Sequence, residues 1–259
     1  MGIGLFVIGD EIMRAKKQDQ HFAKLVELLG RRGMHLSWAQ YLGDEPHRLV
    51  AAFKRSFGEE DIVFSCGGIG ATPDDHTRAC VAEALGVELA LHPEAEDLIH
   101  AALQKRSGTR ATAQQLQMGF LPVGARIVPN RFNGIPGFSV GDHHFFPGFP
   151  EMAWPMMQWL LDERYAHLHH KTAEAEDAIY VYDVMESTLT PLMREIEMSF
   201  TGLKTFSLPH LGTDGVRRHV ELGVRGDPAQ IDAAMQRLVR GIAEVGGSFS
   251  VEAPPRCDM

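Results

Sequence analysis

The chain has 259 residues, 44% hydrophobic and 23% charged, which is ordinary globular usage with enough length for one large domain or a medium and a small one. A formal net charge of −9, with basic runs no longer than GRRG at 30–33 and VRRHVELGVRG at 216–226, argues against a nucleic-acid partner. Three cysteines, Cys66, Cys80 and Cys257, with no CxxC pair, argue against a disulfide framework or a cysteine zinc site and fit a reducing compartment.

The opening MGIGLFVIGDEIM carries no basic leader and meets acid at Asp10, and no window approaches eighteen uninterrupted apolar residues. The expectation is a cytoplasmic protein without signal peptide or membrane partner. IGLFVI at 3–8 reads as a strand buried on both faces. From Asp19 to Arg32 the apolar residues Phe22, Leu25, Val26, Leu28 and Leu29 recur at helical spacing, and Gly33 stops them. MHLSWAQYL at 34–42 predicts a second strand, and residues 45–57 a helix with Leu49, Val50 and Phe53 on one face. DIVFSCGG at 61–68 predicts a third buried strand, DDHTRACVAEALG at 74–86 a helix closed by Gly86, and 93–106 a further helix.

ARIV, GFSV and HHFFP, between residues 125 and 147, are short apolar pieces separated by turn residues. They predict a hairpin or meander returning to the sheet, followed by a helix over 150–164. Strands alternating with helices imply a mostly parallel sheet in three layers. This α/β domain is assigned to residues 1–165. ERYAHLHHKTAEAED at 163–177 is polar and lacks periodicity, so 166–177 reads as a linker in which His167, His169 and His170 are exposed. Residues 178–252 then read strand–helix–strand–strand–helix, with Leu189, Leu192, Met193 and Ile196 on one helix face. Asp227, Pro228 and Gln230 open the last helix as a capping box. A small α+β sandwich of ferredoxin or KH type is expected, with APPRCDM as a frayed tail.

In an open parallel sheet, ligands bind beyond the carboxyl ends of the strands. GDEI at 9–12 and GGIGATPDDHT at 67–77 both fall there. Neither matches a P-loop or a dinucleotide fingerprint. The second has the parts of an anion cradle all the same: Gly67, Gly68 and Gly70 allow close backbone approach and positive φ, a helix N-terminus follows, and Thr72 adds a hydroxyl. Asp74 and Asp75 cap that helix, or one caps while the other faces the cleft. A cleft-facing aspartate would hold a divalent metal bridging to phosphate or accept hydrogen bonds from a heterocycle. Asp10, Glu11 and Asp19 extend the group to five carboxylates, which would repel one another without a cation. NGIPGF at 133–138 and FPGFPEM at 146–152 supply tight turns that could wall the same cleft. Cys66, at the end of a buried strand, reads as a packed, inert thiol.

These segments, in this order, resemble the MoaB/MogA-type molybdopterin-binding fold, and more closely the N-terminal part of CinA (competence/damage-inducible protein A) and the N-terminal domain of eukaryotic FAD synthases. The resemblance is carried by VIGDEI, GGIGATPDDHT, NRFNGIPGF and FPGFPEM, and in the small domain by ESTLTPLMREIE and FSLPHLG. It implies a molybdopterin-lined pocket at Gly67, Gly68, Gly70, Asp10, Asp75 and Thr77. In the CinA and FAD-synthase branches it implies metal-dependent cleavage of nucleotide pyrophosphates such as ADP-ribose or FAD.

Carried over, Asp10 and Asp75 are the catalytic candidates. Asp10, Glu11, Asp19, Asp74 and Asp75 are the metal candidates. Gly9, His21, Gly67, Gly68, Gly70, Thr72, Thr77, Pro136, Gly137, Pro147 and Gly148 are the ligand contacts. Magnesium, manganese or cobalt with potassium are the implied cofactors, a nucleotide or pterin is the implied ligand, and a homodimer or homotrimer is the implied assembly. The chain departs from the family pattern at Ala15, His21, Ala71 and Asn133. The readings are therefore a pyrophosphatase, a metal-free pterin-binding protein, or an oligomeric interaction protein that has lost the chemistry.

Overall fold

The computed structural model describes residues 2–171, 175–212 and 217–254. The tail at 255–259, with Cys257, lies outside the described residues, as do 172–174 of the expected linker. The chain divides into two units, residues 1–170 and 171–259.

The first unit runs β1 (Ile3–Ile8), α1 (Asp10–Met13), α2 (His21–Gly30), β2 (Trp38–Leu42), α3 (Pro46–Phe57), β3 (Ile62–Cys66), α4 (Thr77–Leu85) and β4 (Leu89–Leu91). It continues through α5 (Pro93–Ser107), α6 (Ala113–Leu116), β5 (Phe120–Pro122), β6 (Arg126–Val128), β7 (Gly137–Val140), β8 (His143–Phe146) and α7 (Pro150–Arg164). Six strands form one sheet in the order β2-β1-β3-β8-β7-β6. The first four are parallel to one another, β7 runs antiparallel to β8, and β6 runs antiparallel to β7. The expected meander is this mixed edge.

β1 is buried along its whole length, as its apolar run requires of a central strand. Ile3, Leu5 and Val7 pack with α2 and α7, while Phe6 and Ile8 pack with α3 and α4. Alternation along one strand thus feeds two cores, the sandwich of three layers that an all-apolar parallel strand demands. β4 and β5 pair apart from this sheet and are too short to carry a periodic signal.

Several boundaries differ from expectation, among them β2, which begins at Trp38 rather than Met34. α4 begins at Thr77 rather than Asp74, because residues 67–76 are consumed in a turn. The α1 turn, four residues long, was not foreseen. Residues 166–170, expected as linker, belong to the first unit: Leu168 packs on its core and the His170 N–H donates to the Arg32 carbonyl at 2.8 Å. His169 likewise bonds the Leu161 carbonyl at 3.0 Å. At the far side of the expected linker, β9 already starts at Ala175, since backbone pairing of Ala175 with Gly226 tolerates the polar side chains there.

The second unit comprises β9 (Ala175–Tyr182), α8 (Glu186–Ser199), β10 (Lys204–His210), β11 (His219–Gly226), α9 (Pro228–Glu244) and β12 (Ser248–Ser250). The sheet order β10-β11-β9-β12 is wholly antiparallel. This is the split βαββαβ arrangement, completed by β12, a strand of three residues absent from the sequence reading. Leu189, Leu192 and Ile196 of α8 and Ile231, Leu238 and Ile242 of α9 cover one face. The capping box expected at Asp227 is a simpler cap: Asp227 accepts from the Ala229 N–H at 3.0 Å, and Gln230 bonds the Asp227 carboxylate instead of its backbone. A reciprocal box occurs at Thr112 and Gln115 of α6. Among the described residues, no helix is long and apolar enough to cross a membrane.

Candidate functional site

The segments that follow β1, β2, β3 and β8, all at carboxyl ends of parallel strands, line a cleft of about 700 Å³, the usual place for a ligand in such a sheet. Of the predicted residues, Gly9, Glu11, Asp19, His21, Gly67, Gly68, Gly70, Thr72, Asp74, Asp75, Pro136, Pro147 and Gly148 line it. Asp10, Thr77 and Gly137 do not.

Gly137 lies within β7, packed so closely that a Cβ would meet the Phe145 carbonyl oxygen. Asp10 turns sideways along the sheet. Its carboxylate accepts from the Asp44 N–H at 3.2 Å and pairs with Arg14 at 2.6 Å, and its own N–H donates to the Asp44 carboxylate at 2.8 Å. Asp44 is the residue that reaches the cleft, and the sequence reading passed over it. Its signal was present, because Gly-Asp-Glu occurs twice, at 9–11 and 43–45. The parallel register aligns Ile8 with Leu42, which places the two tripeptides side by side.

The glycine loop is shaped from behind by α4. The Thr77 N–H donates to the Gly68 carbonyl at 3.0 Å, and the Thr77 hydroxyl donates to the Gly67 carbonyl at 3.0 Å. Gln114 donates to the Ala71 carbonyl at 2.7 Å. In a planar trans peptide the carbonyl and the following N–H point in opposite directions. Fixing these carbonyls toward Thr77 therefore turns the Gly68 and Ile69 N–H groups the other way, and among the described residues neither finds an acceptor. Thr77, expected as a ligand contact, is fully buried and serves as a clamp.

Neither aspartate caps α4, whose N-cap is His76 without a side-chain bond. The Asp75 carboxylate folds back to accept from the Thr72 N–H at 2.8 Å and the Thr72 hydroxyl at 2.5 Å. Asp19 accepts from the His21 N–H at 2.8 Å, the Phe22 N–H at 3.1 Å and the Tyr41 hydroxyl at 2.7 Å. Burial first, and the bond to Asp19 second, push the Tyr41 hydroxyl up to about 12.

His21 is buried and bonds the Gly148 carbonyl through Nε2 at 3.3 Å, so Nε2 carries the proton and Nδ1 is left without a partner. Burial lowers its pKa, which keeps it neutral and ties the start of α2 to the turn at 147–150. Cys66 is an inert thiol, pushed well up by burial.

Six carboxylates (Glu11, Asp19, Asp44, Asp74, Asp75 and Glu151) face the cleft with a single lysine, Lys17. Asp44 feels this most. Its pKa is raised, by burial first and then by the charges of Asp10, Glu11 and Asp74, against the Asp10 N–H bond that lowers it. Among the described residues, no three His, Cys, Asp or Glu side chains gather as a metal centre; both oxygens of Asp10 and of Asp19, and one of Asp75, already accept from the donors above. Of the five acids expected to gather there, Glu11, Asp19, Asp74 and Asp75 line the cleft and Asp10 does not. The remaining acids suit a hard cation held by one or two carboxylates and completed by water and substrate phosphate.

The sequence matches the family described as Probable molybdopterin binding domain over residues 4–167. A CinA-like protein of Syntrophotalea carbinolica is 27% identical over 214 residues, covering 77% of this chain and 51% of that protein, so the chain spans about half the length of this relative. A protein of Aeropyrum pernix is 28% identical over 255 residues and covers 95% of both chains. The crystal structure of the protein CinA, of unknown function, from Thermoplasma acidophilum superposes with a TM-score of 0.56 at 24% identity, covering 63% of this chain and 98% of that one.

Proposed function

The chain belongs to the molybdopterin-binding domain family, and on that premise we propose that its cleft binds a phosphorylated heterocycle and cleaves the phosphoanhydride of a dinucleotide such as ADP-ribose or FAD. The observation that carries the reading is the presence of opposite charge in one cleft. The glycine loop, with N–H groups that find no acceptor among the described residues, and Asp44, burdened by neighbouring acids, both line it. The loop suits a phosphate. Asp44, with Asp74 or Glu11, would hold a divalent cation, which would neutralise the phosphates and acidify an attacking water. Asp10 fixes the Asp44 backbone and carboxylate through their paired bonds. His21 holds the 147–150 wall, and Phe149, exposed at 57%, offers a ring face to a base.

A second reading, metal-free binding of a pterin, rests on the carboxylates that line the cleft. There the carboxylates would accept from the pterin amino and ring N–H groups. Turnover of ADP-ribose and FAD with magnesium, manganese or cobalt, with and without potassium and chelator, tests the two. Chelator-sensitive release of mononucleotides supports cleavage. Molybdopterin binding that chelator leaves unchanged, without turnover of any dinucleotide, overturns it in favour of the second reading.

A further inference from the structure

Directly after the Thr77 clamp stands Arg78, 8% exposed. One terminal nitrogen of its guanidinium donates to the Gly70 carbonyl and the other to the Gln117 carbonyl, while Nε has no partner. Among the described residues it forms no ion pair. Among the described residues, Asp75 is the carboxylate whose charge acts on it, and Asp75 is already committed to Thr72.

A buried guanidinium without a carboxylate is costly, so its retention needs a compensating use. The use lies in the peptide it holds. With the Gly70 carbonyl fixed toward Arg78, planarity turns the Ala71 N–H the opposite way, and that N–H also has no acceptor among the described residues. Thr77 does the same for the Gly68 and Ile69 N–H groups. Consecutive residues on the first turn of α4 therefore turn three loop N–H groups away from themselves, and the second of them adds a full positive charge behind the loop. The charged residues that line the cleft are six acids and one lysine, so this cation is what lets the loop attract an anion.

We propose that Arg78 is the positioning residue of the phosphate subsite. It sets the Gly70–Ala71 peptide and supplies the positive potential without touching the ligand. Its ligand class is a phosphate or diphosphate group. This rests on the reading that the cleft takes a phosphorylated ligand.

The test uses the full chain, inorganic pyrophosphate in magnesium buffer as probe, titration calorimetry, and amide NMR shifts of Gly68, Ile69 and Ala71. Wild type is expected to bind with shifts at all three amides. Arg78→Gln is expected to bind about tenfold more weakly or worse, as loss of a charge-assisted contact implies, and to lose the Ala71 shift. Arg78→Lys, which keeps the charge without the fork, should fall between the two. A folded Arg78→Gln protein that binds within about twofold of wild type, a difference too small for a lost charge, overturns the proposal and leaves the cleft reading standing. Should the glutamine variant not fold, Arg78→Lys decides: affinity and Ala71 shift equal to wild type overturn the proposal, and a loss of about threefold or more supports it. Absence of pyrophosphate binding and of amide shifts in wild type removes the cleft reading and the proposal together.

Discussion

Replacing Gly67 by alanine tests whether the loop's glycines answer to the fold rather than to the ligand. Gly67 sits at φ 108°, which a side chain adopts only with strain of about 1–3 kcal/mol. A Cβ there would lie 2.1 Å from the Ile8 carbonyl oxygen, far inside van der Waals contact. That oxygen is backbone, at the end of the central strand, so relief requires Gly67 to move away from β1 and disturbs its N–H bond to the Phe146 carbonyl of β8. Overpacking of this kind costs about 1–3 kcal/mol, so the expected total is about 2–6 kcal/mol. Gly68→Ala should cost less, about 2–3 kcal/mol, from its φ of 68° and the loss of a bond from the Thr77 hydroxyl, which can rotate away. Urea unfolding followed by tryptophan fluorescence measures both, since Trp38, Trp154 and Trp159 all lie in the first unit. Destabilisation of Gly67→Ala by less than about 1 kcal/mol, a value typical of an unremarkable surface change, would refute the close-packing argument.

Asp44→Asn should abolish dinucleotide cleavage while leaving the thermal midpoint unchanged or higher. The folded state raises the Asp44 pKa, so its charged form costs stability at neutral pH and the neutral amide removes that cost; a lowered midpoint with retained turnover would contradict both halves. Acid should destabilise the first unit through its two buried histidines on β8. His143 is lowered to about 4 and His144 well below its ordinary value, both chiefly by burial. The unfolded chain then takes up protons that the folded one refuses, so stability present above about pH 6.5 is lost as pH falls toward 4. Fluorescence-monitored urea midpoints across that range should decline, and less steeply in His143→Gln.

His144 also shows how polarity can hide in a strand. Tyr165 donates to Asp142 at 2.8 Å, so it accepts from His144 Nε2 at 2.7 Å, and Nδ1 accepts from Ser139 at 2.7 Å. A satisfied directional chain lets histidine occupy a fully buried position, and HHFFP still pairs as a strand.

Local chemistry was enough to read β1, β3, the helices at 46–57 and 150–164, and the family resemblance, because each rests on contiguous apolar period or on a short motif whose residues act together. The position of the cleft followed from the parallel strand order that this pattern implies. What the chain order could not express was which end of each polar group faces the ligand. Asp10 and Thr77 carried the motif yet turned to the backbone, while Asp44 and Arg78 took up places beside the loop. That choice depends on strand register, which sets one Gly-Asp-Glu beside the other, and on where the first turn of α4 meets the carbonyls of residues 67–70. The first joins segments distant in sequence and the second depends on how the turn between loop and helix folds back, so only the folded structure determines which acids are spent on structure and which remain for a ligand.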